Sequence, residues 1–295
     1  MMNIGRTRNS DESVELPTSI LNKHVAMLGS TGSGKTVAAK ILIEEATLSG
    51  IPSVIIDPQG DLARLAMIGD RATVTEKGGD ADRSRAWEEK AEVRIWTPTK
   101  QKGLPICLDP FQPPVGELAA EDLVASWDMM AAGFTVLAGH DAEKNPGSQV
   151  KAFLYELLIE SAGLGILPGN FVELSELVAQ PSTLFEHGSD ENRATEIEVG
   201  YIKPPVREEL SRRFKALDSG VNQLMFSLGV PMDIETLVEP AANGKVPVNI
   251  LYLNSLGTDD LRHSFLQEFG RRLYDWMLHQ NSDGGETNLL FFIDE

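Results

Sequence analysis

The clearest chemical signal in the chain is a run of nine residues: Gly29, Ser30, Thr31, Gly32, Ser33, Gly34, Lys35, Thr36 and Val37. Gly29, Gly34, Lys35 and Thr36 fit the spacing G-x-x-x-x-G-K-[ST], which suits an anionic ligand. Glycines let backbone N–H groups curl around phosphate oxygens, and a helix beginning there adds the positive end of its dipole. Lys35 is placed to reach the β- and γ-phosphates of a nucleotide, and the Thr36 hydroxyl to ligate Mg²⁺. Far along the chain, the apolar run Leu289–Ile293 ends in Asp294 and Glu295. Beside a phosphate loop this pair reads as Walker B, with Asp294 in the Mg²⁺ shell and Glu295 polarising an attacking water. Asp57 and Asp61 lie in "DPQGD" after a further apolar run. Ligands of open α/β sheets gather at the carboxyl ends of strands, which places both acids near the phosphates. The structural alternative is that Asp61 caps the helix that follows.

These residues need elements to position them. His24–Leu28 has the length and apolar character of a strand, and Thr36–Leu48 repeats apolar residues at helical spacing until Gly50. Pro52–Ile56 and Val246–Leu253 read as strands, "AEVRIW" as another, and residues 258–279 as a helix capped by Thr258. Strands alternating with helices predict an α/β fold with a mostly parallel, doubly wound sheet. Between 116 and 240 the periodicity turns helical, with the polar stretch "EHGSDENRATEIEVG" read as a loop. The expected organisation is an N-terminal arm over 1–20, an ATPase core over 21–115 and 241–295, and a helical insertion over 116–240.

Composition narrows the possibilities further. With 295 residues, 42% of them hydrophobic, the chain can bury one large core or two modest ones. No window is apolar enough to span a membrane, and the amino terminus lacks a signal-peptide core, so the cytoplasm is the simplest address. The single cysteine, Cys107, reads as a small buried hydrophobe, and the five histidines show no metal-ligand spacing. A net charge of −18 argues against a protein that coats duplex DNA over its whole surface. It leaves room for a locally basic groove or pore. The basic stretches at Arg207, Arg212, Arg213 and Lys215, and at Arg271 and Arg272, read as solvated helix faces.

The blocks "KHVAMLGSTGSGKT", "GIPSVIIDPQGDL", "VRIWTPTKQKGLPICLDPF", "FSLGVPMDIETL" and "LLFFIDE" together resemble the HerA–FtsK superfamily of P-loop motor ATPases, and within it the HerA-like branch, helicase HerA central domain. The likeness runs from about residue 17 onward, and "LGSTGSGKT" and "DPQGD" are its most specific parts. It implies a RecA-like sheet, ATP and Mg²⁺ as cofactors, and a hexameric ring that pumps duplex DNA through a central channel. By the same likeness Gly34, Lys35 and Thr36 are the nucleotide clamp and Asp294 is the metal-shell acid. Glu295 is then the catalytic base, and Asp57 and Asp61 form the acidic turn beside the site. A nuclease partner of the NurA type is also implied. The family carries an N-terminal β-barrel, and after Walker B a strand with a polar sensor and a later arginine; this sequence shows none of them. The expectation is therefore a fragment of a longer protein, short of the parts that act between subunits.

Two other classes keep the same nucleotide site. One is a ring ATPase that powers conjugative transfer or secretion. The other is a nucleotide-dependent switch without motor activity. A small-molecule kinase fits less well, because adjacent Asp and Glu after the strand suit water activation better than transfer to a bound acceptor.

Overall fold

A computed structural model describes residues 1–7, 9–10, 12–76, 78–114, 118–280 and 287–294. The chain divides into two compact units. The first holds residues 1–105, 233–255 and 281–295, and the second holds 106–232 and 256–280.

The first unit is built on four parallel strands: β3 (Ser53–Asp57), β4 (Ala91–Trp96), β7 (Val246–Tyr252) and β8 (Leu290–Ile293). Their order across the sheet is β4-β7-β3-β8, with every pairing parallel. β3 is buried along its whole length, as its unbroken apolar run requires of a strand covered on both faces. The helix Lys35–Leu48 buries Ala39, Leu42, Ile43 and Ala46, a stripe at helical spacing, in a core shared with Ile55, Leu62, Val248 and Ile250. At the amino terminus β1 (Met2–Arg6) and β2 (Ser13–Leu16) pair antiparallel, and Met2 is fully buried in this core. One polar group stitches the middle of the sheet. Buried Asn249 accepts from the Trp96 indole at 2.9 Å and donates to the carbonyls of Ser53 and Leu237.

The second unit is helical, with β5 (Ile106–Cys107) and β6 (Val230–Pro231) forming a short parallel pair. Its core holds an aromatic cluster among aliphatic side chains: Phe111, Phe134 and Phe171 meet with ring centroids 4.9–6.3 Å apart, and Phe226 lies 4.6 Å from Phe171. Cys107 is buried, and burial pushes its thiol above the usual range, as expected of a small hydrophobe. Among the described residues, no helix is long and apolar enough to cross a membrane.

Three expectations are corrected. His24–Leu28 does not form a strand, and Val25 and Leu28 are 51% and 93% exposed. A strand needs a neighbour for its ladder, and among the described residues β8 pairs with β3 alone. The polar stretch over 186–200 is not all loop, since Glu191–Gly200 is a helix capped by the Asp190 side chain. Only Ala194 and Ile197 are buried on it, too few for the periodicity to show. Arg271 and Arg272 are not solvated. Arg271 is 2% exposed, bonded to Glu268 and Asp275, and Arg272 reaches Glu268, Gln112 and the Asp109 carbonyl. Those partners in 109–112 lie some 160 positions earlier in the chain, beyond any local pattern.

Candidate nucleotide site

The glycine-rich loop leads directly into the helix Lys35–Leu48, and Gly34 at its head carries no side-chain cap. The first N–H groups of that helix therefore have no capping side chain, which is the condition for an anion site. Gly32 and Gly34 are left-handed, at φ +78° and +95°, so side-chain-bearing residues would strain the loop there. Gly29 is needed for space, because a Cβ would come within 2.3 Å of the Ser33 hydroxyl. The Lys35 ammonium folds back to donate to the Gly29 carbonyl at 2.7 Å, closing the loop on itself. Ser30, Thr31, Ser33 and Val37 are exposed, while Lys35 and Thr36 are half-buried. The cradle a phosphate would fill is thus already shaped by glycine geometry.

The chain path brings the other acids to the same edge. After Leu48 the backbone reverses tightly, with Ile51 N–H bonded to the Ala46 carbonyl, and enters β3. A helix of 14 residues is about 21 Å long and β3 about 17 Å, so the head of the helix returns to the carboxyl end of β3. β8 runs beside β3 in register from Ser53↔Leu290 to Ile56↔Ile293, and Asp294 N–H continues the ladder to the Ile56 carbonyl at 3.0 Å. Asp294 therefore sits one position beyond the last sheet pair, beside Asp57. Glu295 lies outside the described residues.

Asp57 has a specific task in this geometry. It is fully buried, and its carboxylate accepts from the N–H groups of Gly60, Leu62 and Ala63 at 2.6–3.1 Å. It holds the DPQGD turn and the short helix that follows, the part the sequence had offered to Asp61. Asp61 makes no capping bond and is exposed at the turn. Gly60 completes the turn at φ +92°, pressed so closely to Tyr252 that a Cβ would meet its ring at 2.6 Å. Nothing in the local sequence announces Tyr252, which comes from β7. Gly60→Ala is expected to cost about 2–4 kcal/mol through left-handed strain and overpacking. Urea denaturation checks this, and a loss below about 0.5 kcal/mol would show that the turn is not held as described.

Among the described residues no cluster of His, Cys, Asp or Glu forms a ready metal cage. The donor set instead suits a metal shared with a phosphate ligand, since Mg²⁺ is held by one or two protein oxygens plus phosphates. Thr36 and Asp294 are the residues that would offer such oxygens. A separate cavity of about 340 Å³ lies on the flank of the same helix, lined by Lys40, Glu44, Arg64 and Trp87 and by no residue of the glycine loop. Burial there pushes the Glu44 carboxyl upward, against the lowering pull of Arg83 and Lys40.

The comparisons with known proteins bear on family and fold. The model of the family described as "Helicase HerA, central domain" matches residues 2–263. The structure is similar to VirB4 of Thermoanaerobacter pseudethanolicus, with a TM-score of 0.54 and 14% identity, over 99% of this chain and 75% of that one. At that identity the likeness shows a shared fold. No curated protein matches the chain.

Proposed function

The chain belongs to the helicase HerA central-domain family of P-loop ATPases, and on that premise we propose that it binds and hydrolyses ATP to translocate DNA. What supports this reading is the uncapped, glycine-shaped head of the helix Lys35–Leu48, together with an acid that continues β8 at the carboxyl edge of the sheet. Such an edge holds phosphates at the helix head and a metal shell beside them.

In this reading the loop from Gly29 to Val37 wraps the phosphates through backbone N–H groups. Lys35 exchanges its bond to the Gly29 carbonyl for the β- and γ-phosphates. Thr36 and Asp294 would hold Mg²⁺, which when bound neutralises charge on the transferring phosphate. Glu295 would take the proton of the attacking water, and the turn held by Asp57 leaves Asp61 exposed. Motion would come from repeating the cycle around a ring, and we assign the protein to a homo-hexamer around duplex DNA. A nuclease partner of the NurA type then fits a role in processing DNA ends. A second reading, a ring ATPase for conjugative transfer or secretion, uses the same site. A nucleotide switch would use the site without turnover.

Turnover separates the three. A DNA translocase hydrolyses ATP faster with duplex present; a transfer ATPase shows no duplex response, and a switch binds without hydrolysis. Glu295→Gln is expected to keep ATP affinity while turnover falls by about 10²–10⁴-fold. Undiminished hydrolysis in that variant would remove Glu295 from the role of base.

A further inference from the structure

The segment from Thr97 to Leu104, which follows β4, is tied down more firmly than a surface loop of its length requires. Thr97 N–H donates to the Leu104 carbonyl at 2.8 Å, and Leu104 N–H to the Ile95 carbonyl at 2.9 Å. The Thr97 hydroxyl donates to the Lys102 carbonyl at 2.6 Å. Gly103 is left-handed, at φ +91°, and lies so close to Thr97 that a Cβ would meet that side chain at 2.9 Å. Thr99 is buried with φ +63°, and among the described residues it is the only non-glycine with positive φ. A β-branched residue in that region is a true outlier, and such strain persists only where surrounding structure imposes it. Here the Thr99 hydroxyl is anchored to the Ser255 carbonyl at 3.3 Å.

What this anchoring presents is a short basic tip. Thr97, Pro98 and Thr99 are buried, whereas Lys100, Gln101 and Lys102 are exposed. Among the described residues, neither ammonium has a hydrogen-bond or ion-pair partner. Four other lysines are engaged, since Lys90 and Lys245 bond carbonyls and Lys144 and Lys151 pair with Asp141 and Asp128. What sets Lys100 and Lys102 apart from the remaining lysines is that both stand on one anchored loop. No acidic residue occurs between Trp96 and Asp109, in a chain whose net charge is −18. The tip follows the carboxyl end of β4, the same end of the parallel sheet at which Asp294 follows β8.

We propose that Lys100 and Lys102 are a contact point for the phosphodiester backbone of DNA. The inference rests on the translocase reading and names the element that would touch the polymer. Lysines are compact charges on flexible stems, suited to sequence-independent phosphate contact rather than base recognition. A strongly acidic exterior repels DNA, so contact must be concentrated where cations are unpaired and held in place.

The test is the salt dependence of binding by the full chain to a labelled DNA duplex and to a single strand of equal length. Each lost phosphate contact lowers the slope of log affinity against log salt by about 0.9 on duplex. Lys100→Gln/Lys102→Gln should therefore lose about 2 from the slope and bind roughly ten- to a hundredfold more weakly at 0.1 M salt. Lys100→Arg/Lys102→Arg should restore both, and Lys203→Gln/Lys215→Gln, with the same net charge as the first variant, should change neither. An unchanged slope in the first variant, or an equal loss in the control, overturns the loop assignment while leaving the translocase reading in place. A parent that binds neither DNA form overturns both. Loss of slope on the single strand alone supports the contact and identifies the unpaired strand as the form held.

Discussion

Lys35→Ala should bind ATP with Mg²⁺ at least about a hundredfold more weakly than the parent, a loss of ~2.7 kcal/mol or more. The size follows from what the lysine exchanges. In the structure its ammonium donates to a neutral carbonyl, that of Gly29, at 2.7 Å. On nucleotide binding that bond gives way to charge-assisted bonds with phosphate oxygens, each roughly twice as strong as a neutral one. Alanine removes the gain and leaves the rest of the cradle intact, because the loop's shape is set by Gly29, Gly32 and Gly34. Thermal stability should therefore be nearly that of the parent. Isothermal titration calorimetry with ATP, with and without Mg²⁺, measures the effect, and unaltered affinity would sink the phosphate-cradle assignment.

The second large effect concerns the helical unit and involves no ligand. Arg271→Ala is expected to destabilise that unit by about 3–5 kcal/mol. Arg271 is 2% exposed and forms ion pairs with Glu268 at 2.7 Å and Asp275 at 3.2 Å, both buried. Asp275 also accepts from the buried Ser126 hydroxyl at 2.6 Å, so the network joins the helix Asp259–Leu278 to the helix Ala120–Leu137. The cost comes from the partners left behind: removing the cation leaves buried Asp275 without a counter-ion and Glu268 with Arg272 alone, in a low-dielectric site. Replacing Arg271 and Asp275 together by apolar residues of similar volume, with Glu268 kept as the partner of Arg272, should cost less, since no triad charge is then without a counter-ion. Urea melts of the single and double variants compare the two. A single variant losing under 1 kcal/mol would mean that water reaches the site and the network is not dry.

The phosphate loop was legible in the sequence because its geometry is local. A glycine spacing, a lysine and a hydroxyl fall within nine residues, and the left-handed glycines of that run shape the loop that precedes the helix Lys35–Leu48. Strands β3, β7 and β8 and the long helices announced themselves for a similar reason, since their apolar periodicity states which face must be buried. The α/β class and the family resemblance both grew from such local signals.

Tertiary structure decided whatever depended on distant partners. The apolar run at 24–28 looked like a strand, yet pairing is a property of two segments and no neighbour takes it up among the described residues. Arg271 and Arg272 looked like a solvated face because the groups that bury them, Gln112 and the Asp109 carbonyl, lie far away in sequence. Asp57 and Asp61 looked equivalent, and only the folded turn gave Asp57 to the backbone and left Asp61 exposed. The sequence by itself determined which residues could do nucleotide chemistry. The fold decided which acids and cations were used up holding the structure and which remained exposed, because burial and hydrogen-bond satisfaction are settled across the whole chain rather than along it.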